Sequence, residues 1–285
     1  MNWKSAIPNG LTLGNLLMGV LGIIFSFQGE MLWSTYCILL PAVFDFFDGF
    51  AARMLGVPGE LGKQLDSLAD AVTFGVLPGI LLFHWISIGL GDYFEPLQDR
   101  ELSNALKASV ALFVPLMAIM RLAIFNIDTR QSDRFIGVPT PAMALIVASF
   151  PLIMELQYNL NFYVPINSDI ALGTLLHLYP WWGAWDFHLI LLLWNPLFMM
   201  VLSVVLGVLM VAPLPLLSFK FKNFSWQDNK QRYGFLGLVV LLVLLVFLPY
   251  LIRIDFMPYL DYTIIPIILL LYIVYSAIAH LISSK

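Results

Sequence analysis

The chain has 285 residues, 60% of them hydrophobic and 11% charged, with a mean hydropathy of +0.88. That balance excludes a soluble globular domain and leaves an integral membrane protein. The 14 basic and 18 acidic residues give a net charge of -4 with no basic stripe, which excludes nucleic acid as a partner, and the lone Cys37 excludes an intrachain disulfide or thiolate metal cluster.

A bilayer span needs about 20 mostly apolar residues. Runs of that kind fall near 11–28, 32–52, 67–88, 105–126, 138–156, 188–217, 234–252 and 262–282. The expected fold is therefore all-α, with about eight transmembrane helices. The first run follows Lys4 as a signal peptide would, yet Phe27-Gln28-Gly29-Glu30 carries no small-residue cleavage pattern, so it reads as a retained span. No repeat, low-complexity tract or long linker interrupts the chain, and Phe219 to Arg232 reads as a polar loop. The expected organisation is one membrane domain over 1–285, with a catalytic core at 8–142 and additional helices at 143–285.

Basic residues concentrate on the cytoplasmic side of a membrane protein. Both termini placed in the cytoplasm put Lys4, Arg53, Lys63, Arg130, Arg134, Lys220, Lys222, Lys230, Arg232 and Lys285 inside. The outward loops then hold only Arg100, Arg253 and, at a helix start, Lys107. The outward stretch from Gln157 to His188 has no Lys or Arg but carries Tyr179, Trp181, Trp182 and Trp185, residues suited to the headgroup level. His84, His177, His188 and His280 lie away from any acidic group in this topology and read as structural.

Chemistry concentrates between the second and third runs. Asp45 and Asp48 are three residues apart, and Asp66 and Asp70 four, so on helices each pair projects from one face. A short inside loop brings the two faces together. One charged residue at mid-span costs about 2.5 to 3.5 kcal/mol, so four acids near a span could cost on the order of 10 kcal/mol. Divalent cations with hard oxygen ligands, Mg²⁺ or Mn²⁺, offset that cost, and two ions among four carboxylates are the economical solution. The bland alternative, acids bathed in interfacial water, suits one aspartate better than four so arranged.

The spacing D-x2-D-G-x2-A-R-x8-G-x3-D-x3-D, satisfied by Asp45, Asp48, Gly49, Ala52, Arg53, Gly62, Asp66 and Asp70, resembles the signature of CDP-alcohol phosphotransferases. The resemblance implies that Asp45 and Asp66 bridge two metal ions, that Asp48 binds one, and that Asp70 binds the other and acts as the catalytic proton acceptor. It implies that Pro8, Asn9, Gly10, Leu11, Thr12 and Gly59 contact the cytidine side of a CDP-lipid. Gly49 and Arg53 join them, Gly49 by removing a side chain where the nucleotide approaches the backbone and Arg53 by pairing with the diphosphate. A homodimer is implied as well.

Two further stretches, Arg121-Leu122-Ala123-Ile124-Phe125-Asn126 and Gly137-Val138-Pro139-Thr140-Pro141-Ala142, look like those of membrane-integral phosphatidylserine synthases, with Ile124 where that pattern carries an arginine. The expected reaction is CDP-diacylglycerol plus L-serine giving phosphatidylserine and CMP at the cytoplasmic face of the cell membrane, with Arg121 and Asn126 contacting the acceptor. Arg121, Arg130 and Arg134 leave glycerol 3-phosphate or inositol phosphate open as acceptors. A metal or proton transporter is the alternative of a different class, since intramembrane carboxylates also mark ion pathways.

Overall fold

The structure is a computed structural model, and it describes residues 3–57, 59–128, 134–158, 184–217, 225–251 and 262–283. Helix α1 (Trp3–Phe27) turns at Gly29 into α2 (Met31–Met54). Gly29 holds φ at +85°, a conformation that glycine adopts without a Cβ penalty. Next comes α3 (Glu60–Asp70), which continues through a π-helical turn at Ala71–Val76 into α4 (Leu77–Leu90). This long rod stops at Gly91, whose φ of +83° closes the helix by bonding back to the Ser87 and Ile88 carbonyls.

After it come α5 (Leu102–Ser109), a 3-10 turn at Val110–Leu112, α6 (Phe113–Ile127), the short strand β1 (Arg134–Ile136) and α7 (Thr140–Pro151), which runs into a second π-helical segment at Leu152–Gln157. Among the described residues the further elements are α8 (Ala184–Trp194), α9 (Pro196–Val211), β2 (Pro215–Leu217), α10 (Trp226–Leu251) and α11 (Ile264–Ser283).

The helical membrane architecture expected from hydropathy is what forms. Among the described residues six helices are long and apolar enough to cross a bilayer, and Ile264–His280 is a shorter apolar helix. The run at 188–217, expected as one span, is instead two helices bent by 73°. Asn195 accepts from the Phe198 amide at 3.1 Å and Pro196 follows it, so an N-cap and a proline restart the helix inside an unbroken apolar stretch. Counted as one span, that pair is a seventh.

The expected polar loop over Phe219 to Arg232 also gives way in its second half, where α10 begins at Trp226. One feature departs from all-α: β1 and β2 pair antiparallel, Phe135 opposite Leu216. Gly137 (φ +77°) and the Tyr272 hydroxyl, which donates to the Leu217 carbonyl at 2.8 Å, hold this ladder against α9 and α11. Tyr179, Trp181 and Trp182 of the expected aromatic belt, and Arg130, Lys220, Lys222 and Arg253, lie outside the described residues.

Helix α4 is the axis of the core. Leu77, Leu81, Leu82, Trp85 and Ile86 are buried against Ile38 of α2, Val114 and Ala118 of α6, and Met143 and Val147 of α7. The Trp85 indole N–H reaches the Leu193 carbonyl at 2.6 Å. Small residues let the helices approach closely, as is usual where lipid supplies no hydrophobic drive for helix association. A Cβ on Gly22 would meet Cys37 Cβ at 2.8 Å, and one on Gly79 would meet Pro115 at 2.6 Å. Cys37 is buried, as a small apolar side chain would be. Leu13, Leu17, Val20 and Ile24 of α1 stay exposed on one helical face, an arrangement suited to lipid.

Candidate active site

Helices α1, α2 and α3 meet at the end of the bundle where the acidic residues lie. Carboxylate oxygens of Asp45, Asp48 and Asp66 come within 4.8 Å of one another, a spacing that suits a shared cation. Asp48 is buried while Asp45 and Asp66 are half-buried. Asp66 Oδ1 is buried with no hydrogen-bond partner, an orphan acceptor that a bound cation would satisfy. The residues present therefore fit a divalent ion.

Asp70 stands apart from this triad. One helical turn further along α3, it is buried and accepts from the Asn15 side chain at 3.2 Å. Thr73, in the π-helical turn just after it, donates to the Asn15 carbonyl at 3.1 Å. That turn changes the helical register immediately past Asp70, as single π-turns often do beside functional groups.

A cavity of about 440 Å³ opens beside the triad, with Asp48 and Asp66 in its wall. Pro8, Asn9, Thr12, Gly49 and Gly59, five of the residues expected to hold a CDP-lipid, line it as well. Gly10 and Leu11 do not line it; Gly10 is exposed on α1. A Cβ added to Gly49 or Gly59 would enter open space, so each glycine keeps part of the cavity free. Arg53 belongs to α2, and its side chain lies outside the described set.

Thr12 donates to Asp48 Oδ2 at 2.6 Å, tying the α1 wall to the acidic face of α2. Three contributors were not singled out by sequence reasoning. Lys63 lines the cavity, Ser5 borders it, and Asn15 holds Asp70. A signal for Asn15 exists: Pro8, Thr12, Asn15 and Gly19 recur every three or four residues, a polar and small stripe on one face of an otherwise apolar helix.

Arg121 is buried on α6, 5.7 Å above the Phe125 ring, with Asp70 and Tyr272 as its electrostatic neighbours and its Nε unpartnered. Asn126 sits elsewhere in the interface: its amide donates to Ser67 at 2.8 Å and its carbonyl accepts from Lys63 at 2.9 Å. Those bonds fasten the end of α6 to α3. Thr140, at the start of α7, is buried with its hydroxyl unpartnered.

The sequence profile of the CDP-alcohol phosphatidyltransferases matches residues 5–186, a stretch that holds all four aspartates and the cavity wall. The chain belongs to that family. Among similar proteins, the CDP-diacylglycerol–serine O-phosphatidyltransferase of Bacillus subtilis (strain 168) is 36% identical over 147 residues, which cover 50% of this chain and 75% of that protein. The archaetidylserine synthase of Methanothermobacter thermautotrophicus is 33% identical over 150 residues, 52% of this chain and 58% of that one. A CDP-diacylglycerol–serine O-phosphatidyltransferase of Helicobacter pylori (strain J99) is 32% identical over 142 residues, with 49% and 54% covered. The matched residues make up about half of this CDP-alcohol phosphatidyltransferase, and from 54% to 75% of those relatives.

Proposed function

We propose that this CDP-alcohol phosphatidyltransferase moves the phosphatidyl group of CDP-diacylglycerol onto L-serine, giving phosphatidylserine and CMP. The observation that carries the reading is the convergence of Asp45, Asp48 and Asp66 beside a cavity that Gly49 keeps open. Serine as the acceptor is supported by the names of the Bacillus and Helicobacter relatives and by the archaeal serine-lipid synthase.

Phosphoryl transfer depends chiefly on positioning and charge neutralisation. Two Mg²⁺ or Mn²⁺ ions, when bound by Asp45, Asp48, Asp66 and Asp70, supply charge neutralisation at the diphosphate. Pro8, Asn9 and Thr12 shape the nucleotide wall, and Lys63 adds a cation to the lining of the cavity. Thr12 fixes the rotamer of Asp48. Asp70, oriented by Asn15, takes the proton of the serine hydroxyl as its oxygen attacks the phosphatidyl phosphorus; the bond from that phosphorus to the CMP oxygen breaks. Arg121, with Asp70 as its charged neighbour, receives the serine carboxylate. Asn126, whose amide is engaged with Ser67, serves as a clamp between α3 and α6 in this reading.

The carboxylates gather at one end of the bundle, which favours a surface-facing enzyme site over an ion conduit. The excess of Lys and Arg on the same side as the acids supports a site facing the cytoplasm from the cell membrane. The same reading has the chain act as a homodimer, and cross-linking in native membranes tests it. The deciding assay offers purified protein CDP-diacylglycerol with serine, glycerol 3-phosphate or inositol phosphate. CMP release with serine alone is expected, and release with inositol phosphate but not serine overturns the acceptor.

A further inference from the structure

Asp70 and His84 lie on one continuous helical rod, so about 21 Å of helix rise separates the acidic site from the other end of the bundle. A second cavity, of about 400 Å³, opens there between the α1–α2 turn and the loop after α4. Phe27, Phe83, Tyr93 and Phe94 form its aromatic walls, and its basic lining groups are His84 and Arg100.

His84 is only 6% exposed, and neither ring nitrogen has a hydrogen-bond partner. Its ring stands edge-on to Phe27, Tyr93 and Phe83 at centroid distances of 5.1, 5.5 and 5.9 Å. A buried imidazole offers one donor and one acceptor, and leaving both idle costs free energy that a ligand can recover. Arg100 is held in place by three donations: Nε to the Glu95 carbonyl at 2.9 Å, Nη1 to Ser87 at 2.8 Å and Nη2 to the Tyr93 carbonyl at 3.3 Å. A guanidinium has five N–H groups, so two remain, and none of the three acceptors is a carboxylate. The charge is thus positioned by two backbone carbonyls and the Ser87 hydroxyl and not neutralised by these bonds.

Around this cationic lining the connecting loop is acidic, with Asp92, Glu95, Asp99 and Glu101. Asp92, one residue before the lining Tyr93, has a buried Oδ2 without a partner. A free phosphate dianion would meet Arg100 but also the surplus negative charge of the loop. A head that joins a phosphodiester to an ammonium satisfies both. On the rim, Phe27 is 68% exposed, Phe94 66% and Leu97 62%, apolar surface at the place where glycerol and acyl carbons would follow such a head.

The geometry points to a second lipid site, distinct from the acidic one: a pocket for the headgroup of a zwitterionic phospholipid, its phosphodiester on Arg100 and His84 and its ammonium toward the loop at Asp92.

Native mass spectrometry of delipidated full-length protein tests this with dioleoylphosphatidylethanolamine, dioleoylphosphatidylglycerol and inorganic phosphate as probes. Phosphatidylethanolamine is expected to bind at least tenfold tighter than phosphatidylglycerol, without displacement by millimolar phosphate. His84→Phe, which keeps a ring in the aromatic cluster, and Arg100→Gln should each weaken that binding tenfold or more. Thermal melting checks that each variant is folded, and His84→Phe decides alone if Arg100→Gln is not. Equal binding of the two lipids, displacement by phosphate, or undiminished binding in folded His84→Phe overturns the proposal.

Discussion

Thr12 of α1 donates its hydroxyl to Asp48 of α2 at 2.6 Å across a buried contact, while the Pro8 carbonyl lies 3.1 Å from the same oxygen. The shorter, charge-assisted bond goes to the carboxylate and couples the α1 wall of the cavity to an aspartate that would hold a metal ion in the proposed function. Thr12→Val keeps the shape and removes the donor. Loss of one charge-assisted bond corresponds to roughly 1.5–3 kcal/mol, so kcat/KM for the CDP-lipid is expected to fall about ten- to a hundredfold, with Thr12→Ser restoring most of it. Unchanged kinetics in Thr12→Val would show that Asp48 is positioned without it.

Asp70→Asn separates the proton acceptor from the triad. Positioned general bases contribute about 10²- to 10⁴-fold, and kcat is expected to drop by that order while CDP still binds with Mg²⁺ or Mn²⁺, as read by calorimetry. Asn15→Ala, which removes the orienting amide, should lower kcat less steeply and leave nucleotide affinity in place.

Chelation is the direct probe of the triad. EDTA should abolish CMP release and Mg²⁺ or Mn²⁺ restore it, and Asp66→Asn, which removes a ligand, should raise the metal concentration needed for half-maximal rate by at least the roughly 10- to 100-fold that loss of an outer-shell partner costs. Full turnover in EDTA would exclude the ions from the reaction.

Two glycines should fail in opposite ways. A side chain on Gly49 enters open cavity, so Gly49→Val should leave melting unchanged and weaken CDP-lipid binding. A side chain on Gly22 meets Leu77 and Cys37, and overpacking of this kind costs about 1–3 kcal/mol. Gly22→Val should therefore lower the melting temperature whatever it does to activity.

Arg121→Lys keeps the charge and loses the planar fork. The KM for serine should rise at least several-fold with the KM for CDP-diacylglycerol steady; a change confined to the CDP-lipid would place Arg121 on the other substrate.

Much of this protein was legible in its sequence because the bilayer imposes simple rules. Apolar runs of about twenty residues must become helices, since unpaired backbone groups are not tolerated in hydrocarbon. Carboxylates at helical spacing near a span call for charge compensation, so an acidic cluster that could hold a cation was legible before any fold was known, and Asp45, Asp48 and Asp66 form it. Where helices break was harder to read. The cap at Asn195 and Pro196 lies inside an unbroken apolar run, and hydropathy averages it away. Tertiary structure alone decided that Asp45, Asp48 and Asp66 converge while Asp70 sits a turn deeper on Asn15, and that Asn126 clamps α3 to α6. Those outcomes depend on how far apart the helices sit and how each is rotated, which small residues such as Gly22 and Gly79 set through packing across the bundle. Spacing along one helix fixes which residues share a face; only packing fixes what that face meets.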